Sequence, residues 1–369
     1  MKQYETGDLR NIAVVGHGAS GKTSLVEAML VLGKEINRMG SIASGTTVSD
    51  YHPGEKDRQI SIHSTPLHME WGQKKFNIID APGYSDFIGE SISSLAVVDM
   101  AAVIIHAVNG IEVGTESMWS SATDLGIPKV LVVNGLDREH TKFEEILNQA
   151  KERIGKNVFP MQLPINAGPD FNQIVDVLRR ELITYKTDGS GEYSEDELPE
   201  DLISDVDSLH AELIEYVAES DDSLLEKFFD QGNLSEEEMR SGIHDAIQNQ
   251  VFVPLFCVSA ENNIGVARLC DFIAKYGASP DDRKTVKAIN TDENKIEVSL
   301  DGKDTVIQVF KTIAESHVGE LSLFRVYSGI VSTGVDLFNT NRNSSERMGQ
   351  LFILNGKNRT QVSSITAGD

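Results

Sequence analysis

The sequence predicts a chain of the α/β class: a domain built on a parallel sheet, carrying an inserted α/β or helical subdomain, and followed by an all-β barrel domain. Three observations predict it. Apolar runs rich in Val and Ile alternate with helix-spaced segments from residue 11 to about residue 168, as the strands and crossover helices of a parallel sheet do. An acidic stretch over about residues 178–250 interrupts that alternation, and one more apolar run follows it. Beyond Ser279-Pro280-Asp281, short apolar or alternating segments separated by Gly-containing turns replace both patterns, as in a barrel. The expected division is residues 1–280, with the insertion over about 160–250, and residues 281–369.

Taken in order, the first strands are expected over residues 11–15, 75–79, 101–107 and 129–133, each giving way to Gly, Asp or Asn, residues that suit a chain leaving a strand for a turn. Helical spacing marks residues 24–32 and 115–125. In the acidic segment SGEYSEDELPEDLISDVDSLHAELIEYVAESDDSLLEKFFD the apolar residues recur at helical spacing, so its charge reads as a solvated face. Residues 251–258 then read as the last strand of the interrupted sheet, with a helix over 266–275. Barrel strands are expected over 305–311, 321–326 and 335–339, with turns at Ser328-Gly329 and Thr333-Gly334.

Acidic residues number 57 against 33 basic ones, a formal net charge of -24. Such a surface repels bare nucleic acid and anionic membranes in bulk, so any RNA contact must be a local patch. Cys257 and Cys270 form no CxxC pair and read as buried free thiols. The polar start MKQYETGDLR has no signal-peptide core. The most apolar stretch, residues 95–105, contains Asp99 and is shorter than the ~18 residues of a membrane span. A cytoplasmic location without membrane or DNA contact, and a monomeric state, are expected.

Gly16-His17-Gly18-Ala19-Ser20-Gly21-Lys22-Thr23 fits GxxxxGK(S/T) between a strand and a helix, the context a P-loop requires. Backbone N–H groups there curl around phosphate oxygens, helped by the helix N-terminus. His17 to Ser24 are therefore candidate nucleotide contacts, with Lys22 neutralising the β/γ-phosphates and the Thr23 hydroxyl ligating Mg2+. Asp80-Ala81-Pro82-Gly83 follows the second strand; Asp80 is placed to hold Mg2+ through water and the Gly83 N–H to sense a γ-phosphate. Asn134-Gly135-Leu136-Asp137 follows the fourth. A carboxylate at Asp137 accepts from the N1–H and N2–H2 donors of guanine, a pair adenine lacks. Ser259-Ala260 offers a backbone N–H for guanine O6. In this order the motifs form a GTP- and GDP-binding set.

With these motifs the chain resembles the translational GTPases, and among them elongation factor G. The family's GHxxxGKT, EQERGITI and DTPGHxDF segments correspond here to the P-loop, to Glu55-Lys56-Asp57-Arg58-Gln59-Ile60-Ser61-Ile62, and to Asp80-Ala81-Pro82-Gly83-Tyr84-Ser85-Asp86-Phe87. The resemblance implies a P-loop GTPase domain, with Ser61 replacing the threonine that ligates Mg2+ in the GTP state. It also implies a subdomain between NKxD and SA, consistent with a separation of Asp137 from Ser259 far beyond the ~30 residues of one βαβ unit. Leu323-Phe324-Arg325-Val326-Tyr327-Ser328-Gly329 and Ala367-Gly368-Asp369 look like the family's second, barrel domain. The implied partners are ribosomal RNA and ribosomal proteins, and the chain is expected to be a piece of a longer protein.

Four residues depart from the family pattern. Tyr84 replaces the histidine that positions the attacking water, Gly135 the lysine that packs on the guanine plane, Ala19 an acid of the P-loop, and Gln59 a switch glycine. Tyr84, a feature of elongation-factor-G-like paralogues, is the candidate catalytic residue beside Lys22. The resemblance implies GTP hydrolysis as a ribosomal switch; the departures motivate an alternative, a GTP-binding switch with weak or absent hydrolysis. A P-loop kinase or ATPase would leave Asp137, Ser259-Ala260 and the barrel without a use. His52, His63 and His68 lack metal-ligand spacing, Trp71 and Trp119 read as packing residues, and Arg58 reads equally as a cation in cis or a loop ion-pair partner.

Overall fold

A computed structural model describes residue 2 and residues 4–232, 234–289, 294–300, 304–315 and 319–369. The chain opens with β1 (Leu9–Gly16), α1 (Lys22–Leu32), α2 (Pro53–Arg58), β2 (Thr65–Trp71), β3 (Lys74–Asp80), α3 (Ile88–Leu95), β4 (Met100–His106), α4 (Val113–Asp124), β5 (Lys129–Asn134), α5 (Phe143–Arg153) and β6 (Val158–Pro160). After β7 (Gln162–Pro164), β8 (Gln173–Asp176), β9 (Glu181–Tyr185), β10 (Tyr193–Asp196), α6 (Glu200–Ala218), α7 (Asp222–Gln231) and α8 (Glu236–Gln248), the chain returns as β11 (Val253–Val258) and α9 (Val266–Tyr276).

The main sheet has seven strands in the order β2-β3-β1-β4-β5-β11-β6. Strands β1, β5 and β11 are buried along their whole length, which explains their unbroken apolar runs: a parallel sheet covered on both faces has no solvent side to alternate with. One core lies on each face, around Leu25, Phe76 and Phe256 on one side and Val103, Leu131 and Ile146 on the other. This order sets β3 beside β1 and β5 beside β11, with β4 between the pairs, so their ends gather at the carboxyl edge, where ligands of open α/β sheets bind.

Among the elements of this region absent from the sequence expectation are β2 and α2. Strand β2 runs antiparallel to β3 through a two-residue loop, Gly72-Gln73, with φ 55° and 66°, the left-handed pair that hairpins favour. It is an edge strand, which accommodates Pro66. The short helix α2 has Pro53 at its first turn and Glu55 accepting from the His52 N–H at 3.1 Å.

Of the two forms expected for the insertion, α/β or helical, the structure has the α/β one, and the start of the acidic stretch is strand where the spacing predicts helix. Strands β7 to β10 form a four-stranded antiparallel sheet before the helices begin. Gly189 and Gly191, at φ 76° and 75°, reverse the chain between β9 and β10. The acids that read as a solvated helix face find a partner there: Arg268 of α9 donates to Glu181 and Glu195, each at 2.5 Å. Helices α6, α7 and α8 follow as expected.

The remaining strands are β12 (Thr285–Ile289), β13 (Lys295–Ser299), β14 (Val306–Glu315), β15 (Gly319–Ser328), β16 (Ile330–Ser332), β17 (Asp336–Asn339), β18 (Ser344–Arg347), β19 (Leu351–Asn355), β20 (Asn358–Val362) and β21 (Ser364–Thr366). They pair as antiparallel ribbons, with a core of Val326, Val331, Leu351 and Ile365. This β-domain docks on the β3-β1-β4 region through buried polar contacts. Arg325 donates to Asp99 at 2.8 Å and to the Val97 carbonyl at 3.0 Å, and Asn11 donates to Asp99 and to the Gly368 carbonyl. Both cysteines are buried and free. Among the described residues no helix is long and apolar enough to cross a membrane.

Candidate functional site

The P-loop turns between β1 and α1. Its third residue beyond Gly16, Ala19, sits at φ 61°, and Gly21 at φ 88° caps α1. A Cβ at Gly21 would overlap the Asn134 side-chain amide, so the loop and the Asn134-to-Asp137 segment are in contact through this glycine. Lys22 lies inside the turn, its Nζ donating to the His17 carbonyl at 2.7 Å. Burial pushes its ammonium down to about 8, against the attraction of Asp80 and Asp50. Gly83 approaches so closely that a Cβ there would overlap Lys22 Nζ and the His17 backbone. The His17 side chain faces away from the loop, accepting from the Gly114 N–H at 3.2 Å; its backbone, not its imidazole, belongs to the site.

At the metal end, the Thr23 hydroxyl donates to Asp80 Oδ2 at 2.8 Å and lies 3.3 Å from Ser61 Oγ. All three sequence-predicted metal ligands are thus together. Asp50 joins them, a residue the sequence did not flag because a lone acid in a polar loop has no periodic or motif signal. Burial, with Asp80 nearby, pushes the Asp50 carboxyl up to about 7, while burial pushes Asp80 up to about 6 against the Ser49 and Thr23 hydroxyls. Asp50 Oδ2 and Asp80 Oδ1 are buried without hydrogen-bond partners, a costly state for a carboxylate. Hard oxygen donors with orphaned lone pairs fit Mg2+. Among the described residues no group of three or more His, Cys, Asp or Glu could hold a metal ion, so phosphate oxygens and water would have to complete the shell.

The loop carrying Ser61 is held by Glu55, only 1% exposed, whose Oε1 accepts from the Ile62 and His63 N–H groups at 3.1 and 3.0 Å. Gln59, in place of the family glycine, adopts φ 55° and ψ 38° at the end of α2. The backbone keeps the left-handed turn that a glycine would take. Arg58 is exposed.

At the base end, Asn134 ties two loops: its Nδ2 donates to the Ser20 carbonyl at 3.0 Å, and its Oδ1 accepts from the Ala260 N–H at 2.9 Å. A base oxygen reaching Ala260 would therefore share or displace that acceptor. Ser259 is buried, exchanging backbone hydrogen bonds with Ile264 at 3.0 and 2.9 Å. Asp137 Oδ1 is buried with no hydrogen-bond partner. Its pocket is lined by Ala19, Ser20, Gly21, Ser24, His106, Asn134, Gly135, Arg138 and Glu261 as well. Tyr84 is 40% exposed, and its ring lies over Gly18, close enough that a Cβ there would stand 2.9 Å from Cζ.

A family model described as "Elongation factor Tu GTP binding domain" matches residues 7–279, and one described as "Elongation factor G domain 2" matches residues 304–369. A crystal structure from Thermus thermophilus superposes with a TM-score of 0.86 at 28% sequence identity, covering 98% of this chain and 51% of that one. The chain therefore spans about half the length of the structure it matches.

Proposed function

The chain belongs to the translational GTPases, in the family of the elongation factor Tu GTP-binding domain, and from that premise we propose that it binds GTP and GDP with Mg2+ and acts on the ribosome with GTP hydrolysis as its switch. The observation that carries the reading is the unpartnered Asp137 Oδ1 on the wall of a pocket that opens onto the P-loop. Guanine offers that carboxylate adjacent N–H donors, and a charge-assisted bidentate contact of this kind is strong.

Mg2+, when bound by Thr23, Ser61 and Asp80 with Asp50 behind them, would neutralise charge on the β- and γ-phosphates. Lys22 adds a buried cation to the same oxygens, and the Gly83 N–H completes the donors around the terminal phosphate. Removal of that phosphate would release the loops carrying Ser61 and Gly83, an order-to-disorder switch. Tyr84, above Gly18, is placed to orient water or to shield the phosphate from it. Contacts with ribosomal RNA and proteins would run through local patches on this acidic, cytoplasmic, monomeric protein. The test is phosphate release by the full-length protein with and without ribosomes. Stimulation by ribosomes is expected, and its absence removes the proposal.

A second reading rests on Tyr84. A phenol cannot supply imidazole's charge near neutral pH, so binding without appreciable turnover is the alternative, with Tyr84 as a lid on the P-loop.

A further inference from the structure

We propose that Arg138 is a base-binding residue of this chain, its guanidinium forming the wall against the flat face of the guanine, where Gly135 contributes no side chain. The inference rests on the guanine-nucleotide reading above and concerns how that base is gripped.

Gly135 has φ 89°. A Cβ built on it would lie 3.4 Å from both Cδ and Nε of Arg138, and 3.9 Å from Cγ. The Arg138 side chain therefore passes at van der Waals distance over the spot a side chain at position 135 would start from. The Arg138 N–H donates to the Gly135 carbonyl at 3.1 Å, a tight turn that folds the arginine back over the glycine. Arg138 then lines the same pocket as Asp137, Asn134, Ser24 and Glu261. It is exposed, and its guanidinium enters no ion pair among the described residues. Its charge reaches across the pocket: His106, another lining residue, is held below its usual value by burial and then by Arg138.

A planar, weakly hydrated guanidinium stacks on aromatic faces better than an ammonium does. Stacking is indifferent to the hydrogen-bonding edge of the base, whereas Asp137 reads that edge. The two contributions are separable with inosine diphosphate, a purine nucleotide that keeps the face and N1–H but lacks the exocyclic amino group.

The experiment is equilibrium titration of GDP, inosine diphosphate and ADP against the full-length protein and its Arg138→Ala, Arg138→Lys and Asp137→Ala variants, with folding checked by thermal melting. Arg138→Ala is expected to weaken GDP and inosine diphosphate by the same factor, about three- to tenfold. Arg138→Lys, which keeps stem and charge but not the plane, should lose less. Asp137→Ala should erase the preference for GDP over inosine diphosphate. If Arg138→Ala binds GDP within about twofold of the wild type, or weakens one nucleotide and not the other, Arg138 does not grip the base face. Should Arg138→Ala fail to fold, the Lys variant decides: affinity equal to wild type for both nucleotides overturns the inference. A wild-type protein that prefers ADP, or is blind to Asp137→Ala, overturns the guanine reading itself.

Discussion

Lys311 Nζ, on β14 of the β-domain, sits 2.5 Å from Glu90 Oε2 on α3, and the same oxygen accepts from the N–H and hydroxyl of Ser64 at 2.8 Å. One cation thus ties the second domain to the helix after the DxPG motif and to the end of the loop carrying Ser61. Burial alone would raise the Glu90 carboxyl; Lys311 and Ser64 outweigh it and hold the group below its usual 4.5. A depressed carboxylate contributes stability that is complete above its unfolded value and disappears as pH falls through its folded one. Lys311→Met, which leaves the part-buried Glu90 carboxylate without its cation, should lower stability at pH 7 by about 1–3 kcal/mol and flatten the loss of stability below pH 4.5. Thermal melts of both proteins across that range are the check.

Gln59 holds a left-handed conformation that costs a residue with a side chain about 1–2 kcal/mol. Gln59→Gly relieves that strain while adding freedom to the unfolded chain. The net expectation is a gain of up to about 1 kcal/mol, read as a higher melting temperature in the nucleotide-free protein.

Asp137→Asn exchanges a two-fold acceptor for one donor and one acceptor. GTP affinity should fall by about a hundredfold or more. Xanthosine triphosphate, which presents O2 where guanine presents an amino group, should bind the variant better than the wild type. Competition titrations measure both, and unchanged selectivity would place the base elsewhere.

Tyr84→His restores an imidazole that can carry charge near neutral pH. Turnover in the presence of ribosomes should rise by about a hundredfold, the lower end for a positioned acid or base. A wild-type protein already at full rate, with no gain in the variant, argues that Tyr84 itself orients the water.

Asp50→Ala removes an acid that hydrogen-bonds the Ser61 side chain and lies beside Asp80. The Mg2+ concentration needed for half-maximal nucleotide binding should rise by about tenfold or more, as for groups behind a metal's direct ligands, with affinity in chelator little changed. Nucleotide titration over a Mg2+ series reads it.

What the sequence determined by itself was local. Lys22 and Thr23 open the helix after β1, and Asp80, Asn134 and Asp137 stand at or just beyond a strand end, each inside a short motif whose chemistry depends on neighbours in the chain; the parallel sheet is legible because its buried strands are continuous apolar runs. The tertiary structure decided what depends on partners far along the chain. Asp50 reaches Ser61 and Asp80 from the loop before α2, whose Gly40 and Val48 N–H groups donate to Glu27 of α1, and strands β9 and β10 replace an apparent helix where Leu182, Ile183 and Tyr185 bury and Arg268 of α9 pairs with Glu181 and Glu195. Arg138 folds over Gly135 through a turn with no periodic signature, and Lys311 meets Glu90 only when the β-domain docks. Spacing in a sequence encodes which face a residue takes within its own element; which charges end up buried together is set by how the elements pack.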